Sequence, residues 1–256
     1  MLAQELYRRA VATLADVDSL HVAFRSVDYL LRDRCPQCTI MRRYVHYVAP
    51  DRICGTWFDC NPVAERQRSD LVQVGTRAYH RQPLATDGQW AEIEPVLKAR
   101  DDLPAVVAGW MLLPSADDSS GGSRYTTAFH IPILTTITIQ GQQHNAIVLP
   151  VETQRYPRIY FPGIPPSSGP APPAIPYQGS LHQASRIVDS GRLFVDALAA
   201  RPLRYLSAVV ATIDDKTSIV LSRSHVCFRY NGVATISLPV TSGPDDGQAI
   251  RHPTSR

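Results

Sequence analysis

Apolar residues in the first half of the chain recur mostly at the spacing of helices. Between residues 2 and 31 they fall three or four positions apart, as on one face of a helix. Asn61-Pro62 is a typical helix start, because asparagine caps the first turn and proline suits the first helical position. These signals predict helices at residues 2–15, 19–31 and 62–74, after residue 86, and at 103–112.

One β-hairpin is predicted inside this helical half, over residues 39–59. Its first strand, TIMRRYVHYV, is rich in β-branched and aromatic residues, and the turn APDR separates it from ICGTWFD. A turn centred between Pro50 and Asp51 would place Tyr47 opposite Cys54. The same register would place Cys54 beside His46.

The second half changes character and is predicted to be mostly antiparallel strands. Asn231-Gly232 supports a tight hairpin turn, because both residues tolerate a positive φ angle. A helix over 180–200 is the exception. Strands are predicted at 125–139, 143–150, 204–213, 217–223, 225–230 and 233–239, the last four forming a β-meander.

These elements predict an α+β fold with a helix-rich N-terminal half, one β-hairpin, and an antiparallel β-meander in the C-terminal half. The domain prediction is a helix-rich lobe over 1–114 and a β-rich lobe over 125–240, followed by a flexible tail over 241–256. The polar loop SADDSSGGSR, at 115–124, would be the seam between the lobes. A single domain is the alternative.

A proline-rich arm over residues 157–178 is the most unusual segment of the second lobe. Eight prolines between 157 and 176 exclude a helix or a central strand and favour an extended arm. Its apolar side chains predict contact with other protein subunits; the alternatives are an arm packed on its own domain and a ligand for a proline-recognition module. The predicted interface residues are Ile159, Tyr160, Phe161, Ile164, Ile175 and Tyr177.

Composition favours a globular protein, with 44% hydrophobic and 19% charged residues. No run of 18 apolar residues occurs, so no membrane span is expected, and the N-terminus lacks the pattern of a secretory signal. Five cysteines, an odd number, favour a reducing intracellular compartment, cytoplasm or virion. The net charge of +3 is small for a dedicated nucleic-acid-binding protein.

Four cysteines between residues 35 and 60 raise the question of a structural zinc site. Zinc needs four converging ligands, but a regular hairpin separates Cys54 from Cys60 by roughly 20 Å. The zinc candidates are therefore Cys35, Cys38 and Cys60, with a fourth ligand from elsewhere. Thiols without a metal, and therefore no cofactor, are the prediction; zinc at these residues and a redox pair at Cys35 and Cys38 are the alternatives.

The predicted hairpin also mixes guanidinium and aromatic groups. Arg42, Arg43, Tyr44 and Arg52 are residue types that stack on single-stranded nucleic acid, so RNA is a candidate partner. A solvated hairpin face without a ligand is the alternative.

Short catalytic and phosphate-binding motifs are absent from the sequence, including GxSxG, HExxH, GxGxxG and GxxxxGK[ST]. The sequence therefore predicts a non-enzymatic structural or assembly protein that acts through protein–protein contacts, as a homo-oligomer or as a capsid-associated component of a viral particle. The first alternative is a nucleic-acid-binding accessory protein that uses the basic first third. The second is an enzyme without recognisable short motifs.

Overall fold

Long antiparallel strands make up most of the structure. The computed structural model describes residues 3–32, 35–60, 67–82, 88–110, 125–155, 174–178, 180–213, 216–232 and 235–239. Within these ranges thirteen strands form one sheet, with two short α-helices. The helices are α1 (Ala3–Ala12) and α2 (Leu103–Trp110). The strands are β1 (Ser19–Arg32), β2 (Cys35–Val48), β3 (Arg52–Cys60), β4 (Gln67–Val74), β5 (Arg77–Arg81), β6 (Ala91–Ile93), β7 (Tyr125–Phe129), β8 (Ile133–Ile139), β9 (Gln142–Arg155), β10 (Ala174–Tyr177), β11 (Ser180–Asp196), β12 (Pro202–Ile213) and β13 (Thr217–Tyr230).

Pairing between β1 and β13 joins the two halves of the chain into one continuous sheet. The strand order is β6-β5-β4-β3-β2-β1-β13-β12-β11-β9-β7. Strands β7 and β8 pair one after the other with β9, on its side away from β11, and β10 pairs with the start of β11. No helix in the described ranges is long and apolar enough to cross a membrane.

The prediction of a helix-rich α+β fold is wrong. Helices do form at α1 and α2, but the predicted helices at 19–31 and 180–200 are strands β1 and β11, and the described end of the 62–74 helix is strand β4. The hairpin of β2 and β3 exists, although its register places Cys54 directly opposite His46 rather than opposite Tyr47. Residues 235–239 form no strand. The predicted seam, the tail and most of the proline-rich arm lie outside the described residues.

A helix is predicted at β1 because the sequence there fits both the helix period and the strand period. Leu20 and Phe24 are four positions apart, as on a helix, yet Val22 lies between them and completes an alternating pattern. All three side chains are buried, while His21, Ala23 and Arg25 point to the other face. Pairing with β2 and β13 on both sides decides between the two periodicities, and no local signal reveals that pairing.

Strand β11 imitates a helix for a different reason. Its register against β12 shifts between Ala184 and Arg186, which is the mark of a β-bulge. The bulge resets the alternation, so that the buried residues Ala184, Ile187 and Gly191 fall three and four positions apart. Beyond Gly191 the alternation of a strand returns.

The two faces of the sheet differ, because the helices pack against only one of them. The inner face packs against α1 and α2 and forms the main core, which includes Val22, Phe24 and Leu193. The opposite face, called the outer face below, carries the side chains that alternate with these. A smaller second core lies further along β11, β12 and β13, where Ile175 of β10 packs against Ile187 and Ala211.

Candidate functional site

A trough of about 810 Å³ lies on the outer face, across strands β1, β13, β12, β11 and β9. Two rows of directly paired residues cross it. The first row is Arg25, His225, Leu206, Arg192 and Pro150, and the second is Val27, Arg223, Ala208, Ser190 and Glu152. Because paired residues of an antiparallel sheet point to the same face, these side chains share one surface.

Three arginines of the trough have no carboxylate partner among the described residues. Arg25, Arg192 and Arg223 are exposed, and no ion pair or hydrogen bond joins them to another side chain in that part of the structure. The carboxylate of the trough, Glu152, is already engaged. It accepts a hydrogen bond from Nη2 of Arg186 at 2.7 Å and lies 3.8 Å from Nε2 of His130.

Other arginines of the outer face show what a compensated site looks like in this protein. The buried carboxylate of Asp70 accepts hydrogen bonds from Nε of Arg68 at 3.0 Å and from Nε of Arg81 at 2.8 Å. Thr56 adds a third donor at 3.0 Å. The trough has three such guanidinium groups and lacks this compensation, so it presents a positive potential to solvent.

A further arginine, Arg204, adds to that potential from a position next to the trough on the outer face of β12. Nε of Arg204 is buried and has no hydrogen-bond partner among the described residues. Burial is the main cause that lowers the pKa of His225, and the charges of Arg204 and Arg25 lower it further. His225 is therefore held neutral, and its Nε2 lies 3.1 Å from Sγ of Cys227.

An apolar row runs from the trough to the edge of the sheet. Arg204 is paired with Phe194, Phe194 with Val148, and Val148 with Ile133. These three apolar side chains therefore lie side by side on the outer face. Ile133 stands on the edge strand β8 and is 59% exposed. The site thus combines uncompensated cations with an adjoining apolar track.

A second cluster of titratable groups lies at the other end of β1 on the same face. His21 and His46 are opposite each other, with ring centroids 4.1 Å apart, and Cys54 is opposite His46. Burial, then the charges of His46 and Arg229, lower the pKa of His21 from 6.5 to about 4. Burial likewise raises the pKa of the Cys54 thiol from 9.0 to about 11.

This cluster predicts a loss of stability in mild acid. Between pH 6.5 and 4 the unfolded chain binds a proton at His21 and the folded chain does not, so folding weakens as the pH falls through that window. We expect the His21→Gln variant to reduce this acid-linked loss by roughly 2 kcal/mol. Denaturant unfolding of both proteins at pH 7 and pH 4.5 measures it; equal pH dependence in the two would contradict it.

The predicted zinc ligands lie in β2 and β3, but their side chains are outside the described residues. Cys35 and Cys38 belong to β2, and Cys60 ends β3 opposite Ile40. Among the side chains that the structure does describe, no three histidine, cysteine, aspartate or glutamate groups converge to hold a metal. The zinc hypothesis stays a prediction.

The predicted nucleic-acid-binding residues do not share one surface, because Arg43 points away from the other three. Arg42 and Arg43 are successive residues of β2 and point to opposite faces; the guanidinium of Arg43 lies on the inner side, 5.3 Å from the ring centroid of Phe24. Tyr44 points outward and meets Phe58 edge-on at 6.4 Å. Arg52 is exposed at the start of β3.

Two of the predicted interface residues contact their own chain. Ile175 is 2% exposed in the second core, and Tyr177 packs against that core. The other four, Ile159, Tyr160, Phe161 and Ile164, lie outside the described residues.

Sequence reasoning missed the residues of the trough. Arg223 and His225 alternate with the buried Val226 and Phe228, a pattern that was available to indicate a shared exposed face. Arg192 gave no such signal, because it lay inside a predicted helix. Arg25 was likewise placed in a helix, and its neighbour across the sheet is 200 residues away in sequence.

Comparison with family models and with curated proteins finds no match. Among solved structures, the chain is similar to LprF from Mycobacterium bovis, with 11% identity, coverage of 94% of this chain and 97% of that chain, and a TM-score of 0.42. It is also similar to the lipoprotein LppX from Mycobacterium tuberculosis, with 9% identity, coverage of 92% and 98%, and a TM-score of 0.39. A lipoprotein-sorting protein domain from Vibrio parahaemolyticus matches at 12% identity, 91% and 92% coverage, and a TM-score of 0.27.

The functional predictions are corrected at this point. The described structure contains neither the predicted helix-rich lobe nor a free surface at the described end of the proline-rich arm. The separation of Arg42 from Arg43 and the burial of Ile175 agree with that correction. The interpretations as a capsid-associated assembly protein and as a nucleic-acid-binding protein are therefore wrong, and neither RNA nor further copies of the chain find support as partners.

Proposed function

We propose that this chain is a non-catalytic carrier that binds an anionic amphiphile in the trough. The observation that supports the proposal is the junction of two surfaces. Uncompensated guanidinium groups of Arg25, Arg192 and Arg223 line the trough, and the apolar row begins beside them. A ligand with an anionic head and an apolar tail satisfies both surfaces at once.

The head group is assigned to the arginines because of their chemistry. A guanidinium group offers several N–H donors in a fixed plane and binds carboxylate or phosphate oxygens through two parallel hydrogen bonds. Arg25 and Arg223 come from neighbouring strands, and Arg192 lies two strands further on. An anionic group between them would meet donors from both sides of the trough.

The tail is assigned to the apolar row because of its length and direction. Leu206 lies in the trough on β12, diagonal to Phe194 on β11, and from Phe194 the row continues through Val148 on β9 to Ile133 on β8. Three steps between neighbouring strands span roughly 14 Å. A linear alkyl chain laid across the strands would cover these side chains. The Vibrio chain is named as a lipoprotein-sorting protein domain, and lipoproteins also carry apolar tails. The proposal nevertheless depends on the trough alone.

The proposal predicts that binding needs both halves of the ligand. Isothermal titration calorimetry would compare dodecyl phosphate with inorganic phosphate, which has no tail, and with dodecyl maltoside, which has no charge. We expect dodecyl phosphate to bind more tightly than either. Combining Arg25→Gln with Arg223→Gln is expected to weaken that binding by at least about tenfold, because charge-assisted hydrogen bonds are lost.

The matched control is Arg52→Gln, an exposed arginine outside the trough, which should bind as the wild type does. The trough variants should melt no lower than the wild type, because the arginines removed have no partner in the described structure and repel one another. Equal affinity for the charged and uncharged amphiphiles, or equal effects of the trough variant and Arg52→Gln, would overturn the proposal.

A further inference from the structure

Three of the most exposed aliphatic side chains flank strand β9 near the end of the apolar row, two on its free-edge side and one on the β11–β12 turn at its other side. They are Ile131 (83% exposed), Leu134 (73%) and Leu198 (95%), and together they are called the apolar corner. Ile131 and Leu134 belong to the edge where β7 ends and β8 begins. Residues 131–139 contain no charged side chain.

Leu198 lies on a turn that is fixed by hydrogen bonds. The turn joins β11 to β12, and the carboxylate of Asp196 accepts hydrogen bonds from the N–H groups of Leu198 at 2.9 Å and Ala199 at 2.7 Å. The N–H of Ala197 donates to the carbonyl of Asn145 at 3.0 Å, which ties the turn to β9. Asn145 is paired with Thr136, two residues from Leu134. A fixed turn therefore holds a leucine in solvent, which is unfavourable for the isolated chain.

The arrangement of the corner decides between two kinds of partner. Ile133 points to the outer face and Leu134 to the inner face, because they are successive residues of one strand. Exposed aliphatic groups therefore stand on both sides of the edge. A fluid lipid surface can surround such an edge from both sides, whereas a folded protein covers one side of it.

Charge points to the same partner. The trough adjoins the apolar row on the outer face, and its arginines lack carboxylate partners in the described part of the chain. Arg192 lies two strands from β8, and Arg223 and Arg25 lie four and five strands away. Arginines near a membrane are attracted to the negative potential of anionic lipids, and aliphatic side chains insert at the headgroup boundary. The cationic trough and the apolar corner are thus complementary to an anionic bilayer.

We propose that the apolar corner docks edge-on into the surface of a lipid bilayer that contains anionic lipids. The docked edge is the end of the apolar row, so it also provides the route by which an amphiphile enters the trough; that second role rests on the proposed function, and the docking itself does not.

Co-sedimentation with vesicles tests the docking. We expect the wild-type chain to bind vesicles of phosphatidylcholine with phosphatidylglycerol more than vesicles of phosphatidylcholine alone, with weaker binding as salt is raised. The triple variant Ile131→Ser, Leu134→Ser, Leu198→Ser should lose at least about tenfold in vesicle partition, because three insertions of aliphatic surface are removed.

Leu181→Ser is the matched control. Leu181 is 73% exposed, as Leu134 is, but it lies near the opposite end of β11, roughly 50 Å along the strand from Leu198. This variant should bind vesicles as the wild type does. An equal loss in Leu181→Ser, no loss in the triple variant, or no vesicle binding by the wild type would overturn the docking. The docking would also be overturned if light scattering showed that the triple variant changes only the self-association of the protein and not its binding to vesicles.

The affinity for dodecyl phosphate separates the two proposals. If the triple variant loses vesicle binding but keeps that affinity, the corner and the trough act as separate sites. If dodecyl phosphate does not bind at all while vesicle binding depends on the corner, the carrier proposal fails and the docking proposal stands.

Discussion

Replacing Gly191 with alanine is expected to lower the free energy of unfolding by about 3 kcal/mol. Gly191 lies in β11, and the ring of Tyr205 occupies the space where its side chain would be. A Cβ atom at this position would come within 2.7 Å of Cε2 and Cζ of that ring, and closer still to Oη. Carbon atoms do not approach so closely without displacement, so either the ring or the strand has to move.

The ring of Tyr205 has little freedom to move away. It is 2% exposed and belongs to the main core, which is packed to the density of a solid. The glycine therefore lets an aromatic ring lie flat on the backbone of its neighbouring strand, and the ring fills the space that the missing side chain leaves. Arg192, the next residue of β11, lines the trough.

A double-mutant cycle checks the cause of this effect. In a Tyr205→Ala background, Gly191→Ala should cost almost nothing, because the clash has been removed, and the two changes should be strongly non-additive. Gly232→Ala is the neutral control, since nothing lies within 4 Å of a Cβ added there. Denaturant unfolding gives all the free energies. Additive losses in the cycle would show that the Tyr205 contact is not responsible.

The hairpin of β2 and β3 was predictable because its signal is local. Aromatic and β-branched residues flank a turn that contains Pro50 and Asp51, and no distant partner is needed to recognise this pattern. Helix α1 was predictable for the same reason, since its apolar face repeats within ten residues. Elements whose sequence has one periodicity were therefore placed correctly.

The sheet around the trough was not predictable, because distant pairing decides it. Arg25 and His225 become neighbours only when β1 and β13 pair, and nothing near either residue specifies the other. Strand β11 had to be recognised despite its bulge before Arg192 could be placed on the same face. Exposed arginines carry no packing signal of their own, so the charge of the trough became visible only with the complete strand order.

The second large effect is expected at Gln73, whose variant Gln73→Ala should lose about 4 kcal/mol of stability. Gln73 is fully buried on β4. Its Nε2 donates to the carbonyl of Gly75 at 2.9 Å and to the carbonyl of Leu97 at 2.5 Å. Its Oε1 accepts from the N–H groups of Val96 and Leu97, both at 2.9 Å.

The amide of Gln73 makes the hydrogen bonds that a neighbouring strand would otherwise make to the segment that leads to α2. Residues 94–99 have no strand partner in the described structure, so the amide of Gln73 satisfies backbone groups that would otherwise be buried and unpaired. The segment continues to Arg100, which donates to the carbonyls of Ala15 and Val17 and so links it to the turn after α1. Loss of the amide would leave several polar groups unsatisfied at once, each costing about 1–3 kcal/mol.

Gln73→Met separates the loss of hydrogen bonds from the loss of packing. Methionine keeps most of the side-chain volume but offers no donor and only a weak acceptor, so this variant should be nearly as destabilised as Gln73→Ala. Gln143→Ala, at an exposed position of β9, should be neutral. Hydrogen exchange provides the local measurement: the amides of Val96 and Leu97 should exchange faster in both Gln73 variants. A Gln73→Met protein as stable as the wild type would show that volume, rather than hydrogen bonding, holds the segment against the sheet.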